Sequence, residues 1–68
     1  MKNWRKVYES PSQHRAHIVQ SVLQTHALPA VIVNKKDTTY HFGHFEVHVN
    51  ADDILRALKI IEDEIQFE

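Results

Sequence analysis

Residues 44–50, "HFEVHVN", decide the fold. Phe45, Val47 and Val49 alternate with His44, Glu46 and His48, the period-two pattern of a strand with one apolar and one polar face. Just before them, "KKDTTYHFG" (35–43) is polar and holds the only glycine, so it reads as a hairpin loop. Ahead of that loop, "LPAVIVN" (28–34) reads as a partner strand, apolar on both faces. Leu28, Ala30 and Ile32 line one face of it, Val31 and Val33 the other.

Working outward, Pro29 biases Leu28 toward extended backbone, so a preceding helix ends near His26. "SPSQ" (10–13) predicts its start, with Ser10 as cap, Pro11 in the first turn and Gln13 completing a capping box. Ala16, Val19, Leu23 and Ala27 form its apolar stripe, widened by Val22 and His26, while His14, His17, Ser21 and Gln24 fall opposite. "NWRKVYE" (3–9) reads as a first strand. After residue 50, Asn50 can cap a second helix, with Asp52 and Asp53 near its positive end. That helix is expected to bury Ile54, Ala57, Leu58, Ile61 and Ile65.

The order is β-α-β-β-α. A right-handed crossover makes the first two strands parallel, and the hairpin makes the third antiparallel to the second. Inserting the third between the others, with both helices on one face, gives an α+β two-layer sandwich of ferredoxin-like type. The fourth strand of that fold is missing unless "IQFE" (65–68) supplies a stub. The first strand then has an open edge, and one sheet face has no helix over it.

Composition sets the limits. Sixty-eight residues make one domain, spanning residues 1–68, which buries only about 60% of its unfolded surface. There is no cysteine, so disulfides and thiolate metal sites are excluded and self-association becomes the expected aid to stability. A formal charge of −1 without a basic block argues against nucleic acid. No apolar run approaches the roughly 20 residues that span a bilayer, and the first ten residues lack a signal sequence's apolar centre. A soluble cytoplasmic protein is expected.

Several stretches carry a family resemblance: "VYES" (7–10), Ala16, "SVLQTHALPAVI" (21–32) and "FEVHVNADDILRALKII" (45–61). On these the chain resembles a small bacterial domain family of unknown function, described as prokaryotic signal-transducing proteins and placed near the PII (GlnB-like) proteins by fold. The resemblance spans nearly the whole chain and implies a regulatory role. Where the family usually has glycine this chain has Ala27, and where it often has an acid this chain has Arg15. Glycine suits the left-handed turn after a helix. PII proteins bind nucleotide between subunits and signal through a long loop. Here the equivalent loop is short and no phosphate-cradling glycine-rich motif accompanies it, so that ligand is not carried over.

Spacing limits the histidines as metal ligands. His44 and His48, four apart on a strand, are separated by roughly 13 Å along it, too far for one metal. His41 falls on the opposite parity. His14 and His17 project together from a helix but lack a third ligand, so they are at most weak divalent-metal candidates. No nucleophile elbow or zinc-protease helix is present, no cofactor is implied, and a non-enzymatic chain is expected.

The uncovered sheet face is the stronger clue. With Leu28, Ala30 and Ile32 toward the helices, Trp4 and Tyr8, on one parity, are expected to join Val31 and Val33 there, rimmed by His44, Glu46, His48 and Lys6; the opposite parity would put these valines in the core. These residues are the expected interface of a homo-oligomer, dimer or trimer, or of a complex with a protein partner. A small-ligand sensor for a nucleotide or amino acid, with its site at a subunit junction near residues 34–44, is the alternative. Six protonated histidines would move the formal charge from −1 to +5, so self-association is expected to weaken as pH falls. In the second helix, Asp52 and Arg56 are spaced to pair, and the acidic run 62–64 is a solvated end or pairs with Lys2, Arg5 or Lys6 of a partner molecule.

Overall fold

The computed structural model describes residues 3–37 and 42–66, with only the backbone of Asp37 and Phe42. It contains β1 (Trp4–Ser10), α1 (Gln13–Thr25), β2 (Ala30–Asp37), β3 (Phe42–Asn50), a 3₁₀ turn (Ala51–Asp53) and α2 (Ile54–Glu64). The strands form one sheet in the order β1-β3-β2, with β3 antiparallel to both neighbours. This is the expected insertion of the third strand. Both strands run further into the connection than the polar sequence suggested, because Lys35, Lys36 and Asp37 pair with His44, Gly43 and Phe42. Gly43 fits this close pairing: a Cβ there would stand 3.2 Å from the Lys35 carbonyl oxygen. The middle of the expected hairpin loop, with His41, and the end of the expected fourth-strand stub lie outside the described residues. Ile65 and Gln66 are not in a strand.

One core forms beneath the helices. Ala16, Val19 and Leu23 of α1, Leu28, Ala30 of β2, Val47 and Val49 of β3, and Ala57 of α2 are all buried together. His14, His17, Ser21 and Gln24 are exposed, as the wheel requires. The helical stripe therefore buries its apolar side and leaves its histidine side in water.

The start of α1 differs from the capping expected. Ser12 is the N-cap: its hydroxyl accepts from the Arg15 N–H, while Ser10, buried at the end of β1, accepts from the Ser12 N–H. Pro11 thus lies before the helix. The strand continues through Ser10, which moves the first helical turn two residues on. The end of α1 matches expectation. Ala27 adopts φ 59°, the Ala27 N–H donates to the Gln24 carbonyl and the Leu28 N–H to the Leu23 carbonyl. This is the paired Schellman arrangement, closed by the buried Leu23 and Leu28.

Asn50 caps the 3₁₀ turn through the Asp52 N–H, and that turn leads into α2. Helix α2 rotates its stripe from the expected set. Ala57 is buried and Ile54, Ile60, Ile61 and Ile65 pack on the core, whereas Leu58 is 44% exposed and Leu55 83%. The helix turns its Ala57 side to the sheet, so Ile60, on one flank of Ala57, packs inward and Leu58, on the other, is left exposed.

Candidate functional site

The uncovered face is built by β3. Its partners place Lys6 opposite His48, Glu9 opposite Glu46, Val31 opposite His48, Val33 opposite Glu46 and Lys35 opposite His44. Directly opposed residues share a face, so Val31 and Val33 do stand on the side away from the helices, as expected. Trp4, opposite Asn50, joins them.

Tyr8 does not. The register shifts between Lys6 and Tyr8, so Lys6 faces His48 but Tyr8 faces Val47. A bulge at Val7 inserts one residue and reverses the alternation of everything after it. Val7 and Tyr8 both pack against the core, and Glu9 takes the place on the open face that strict alternation would give Tyr8. The even spacing of Trp4, Lys6 and Tyr8 carried no sign of the insertion. Among the described side chains, the apolar part of the face is therefore Trp4, Val31 and Val33.

At its centre three side chains converge. The Glu46 carboxylate lies 2.8 Å from His44 Nε2 through one oxygen and 2.9 Å from His48 Nε2 through the other. Glu46 is 8% exposed, although no helix covers it, because its neighbours on the same face fold over it. Lys6 Nζ stands 2.6 Å from Glu9 and 3.9 Å from Glu46, between two carboxylates that the register sets directly opposite. Like charges so placed repel, and Lys6 offsets that repulsion. His48 and His44 bound to Glu46 hold its carboxyl down to about 2, with Lys6 and Lys35 acting in the same direction. Lys6 likewise lowers Glu9, and Glu9 raises Lys6.

Glu46 sits between the two imidazoles, and no group of three or more ligating side chains able to hold a metal is present among the described residues. His14 and His17 remain side by side on exposed α1. Sequence spacing anticipated His44, Glu46 and His48 on one face, but not that one carboxylate would gather both rings. That signal was present: an acid flanked at i−2 and i+2 by histidines on a strand face.

A second feature was missed. At the ends of the two helices a groove of about 310 Å³ is lined by His26, Arg56, Lys59, Ile60, Asp63 and Glu64. His26 Nε2 lies 2.5 Å from Glu64, Lys59 pairs with Asp63 at 3.7 Å, and Arg56 donates to the His26 carbonyl at 3.4 Å. Arg56 thus serves the end of α1. Part of the acidic run is also satisfied inside the chain.

The sequence pattern of the family described as "Putative prokaryotic signal transducing protein" matches residues 4–65. The chain belongs to this family. The match takes in all three strands and both helices. No curated protein and no solved structure matches. Among the described residues, no helix is long and apolar enough to cross a membrane.

Proposed function

We propose that this chain is a non-enzymatic contact domain of a signalling system, and that its uncovered sheet face is the surface it works with. The observation that carries the reading is the asymmetry of the sheet. Both helices pack on the side of Val47 and Val49, and the other side presents Trp4, Val31 and Val33 around a neutralised polar row. An apolar patch with a satisfied polar centre and a charged rim has the make-up of a protein contact. A second copy of the chain is its first occupant, which would also supply the burial that a chain of this size lacks.

Trp4 is the only tryptophan and reports directly on this face. Its emission and iodide quenching are to be followed from micromolar to millimolar chain at about pH 8. A blue shift and falling quenching with concentration are expected. An indole that stays as solvated at millimolar as at micromolar concentration overturns the reading.

A further inference from the structure

We infer that β2 is the edge at which a second copy of this chain adds its own β2, antiparallel and related by a two-fold axis, to make one six-stranded sheet from two three-stranded ones. This goes beyond contact through the open face and does not depend on it.

The sheet has two edges, and they are protected unequally. β1 carries the bulge at Val7, the Lys6–Glu9 ion pair and Arg5, features that turn an edge away from further pairing. β2 carries no bulge, though the Gln20 side chain of α1 donates to the Ala30 carbonyl at the start of the strand at 3.0 Å. It pairs with β3 residue for residue from Ala30 to Asp37, and Ala30–Val33 carries no charge. On the helix-covered side, Val47 and Val49 of the central strand are fully buried, yet Ile32 beside them is only half-buried. Ile32 lacks what the central strand has, a neighbour on its outer flank.

The strand is also its own complement. Opposed residues in an antiparallel pair share a face, so a two-fold pairing can oppose only residues of equal parity. With Ile32 facing its own symmetry mate, Val31 meets Val33 on the open face and Ala30 meets Asn34 on the covered one. Lys35 and Lys36 of the two copies then fall at opposite ends of the pairing and never face one another. Moving the axis to Val33 would set Val31 against Lys35 and Ile32 against Asn34, so apolar pairing selects the first register. It also joins the Val31 and Val33 stripes of two copies into one continuous band.

The absence of cysteine makes the test clean. Opposed Cα atoms lie about 4.5–5.5 Å apart, within disulfide range. Ile32→Cys, Val31→Cys and Val33→Cys are to be oxidised mildly, singly and as a mixture of the last two. Ile32→Cys is expected to form a linked dimer by itself. The Val31→Cys and Val33→Cys mixture should give several-fold more linked dimer than either variant alone. Val31 and Val33 lie off the core, so the mixture decides the matter should Ile32→Cys unfold. No linked dimer in the mixture, equal yields with and without mixing, or preferred self-linkage of Val33→Cys would overturn the proposal. Sedimentation of the unaltered chain must also show twice the chain mass, and a monomer at millimolar concentration overturns it as well. Trp4 stands on the far edge strand, so failure here and failure of the open-face reading are told apart.

Discussion

The Nε2 atom of His48 stands 2.9 Å from Oε1 of Glu46, on a sheet face that no helix covers. His44 holds the other oxygen at 2.8 Å, so one carboxylate spans two rings along a single strand. Removing the carboxylate leaves two partly sheltered imidazoles without their acceptor. Glu46→Ala is expected to lower unfolding free energy by about 1–3 kcal/mol. Glu46→Gln, which keeps one oxygen, should cost less. Urea denaturation checks the order of the two.

The same row makes stability depend on acid. The Glu46 carboxyl titrates at about 2 in the folded chain, against an ordinary 4.5. A depressed folded value contributes stability that is fully present above 4.5 and is lost as pH falls from there through about 2. Glu9, lowered by Lys6, acts in the same direction. Thermal melts between pH 6 and pH 2 should therefore fall more steeply for the unaltered chain than for Glu46→Gln. Parallel curves would show that the carboxylate contributes nothing through its charge.

The bulge at Val7 separates the two aromatic residues of β1. Tyr8 packs on the core, so Tyr8→Ala should cost about 2 kcal/mol, less than a fully buried aromatic. Trp4 lies on the open face and touches no core residue through its pairing with Asn50, so Trp4→Ala should leave the urea midpoint of dilute chain nearly unchanged. Equal losses would place both on one face.

Ala27 holds a left-handed backbone at the end of α1, with φ 59°. A Cβ in that region costs about 1 kcal/mol relative to glycine. Ala27→Gly is expected to raise Tm by about 4–8 °C in a domain of this size. Calorimetry showing no rise would mean that the Schellman turn tolerates the side chain.

The order of elements, the insertion of β3 between its neighbours and the stripe of Ala16, Val19 and Leu23 were all legible in the sequence. So were Val31 and Val33 on the bare face and the strained turn at Ala27. The elements and stripes are written in local periodicity and in a proline, which act within a few residues of themselves, whereas the insertion of β3 follows from the handedness of the crossover and the turn at Ala27 from the family resemblance. The face of Tyr8, the cap at Ser12, the choice of Ile60 over Leu58 and the gathering of His44 and His48 by Glu46 were decided only by tertiary structure. A bulge belongs to a pair of strands and not to either one. Alternation along β1 says which residues are neighbours, but the partner strand says where the count is broken. Once Val7 is extra, Tyr8 turns inward, Glu9 turns outward, and Lys6 is left to hold two carboxylates together.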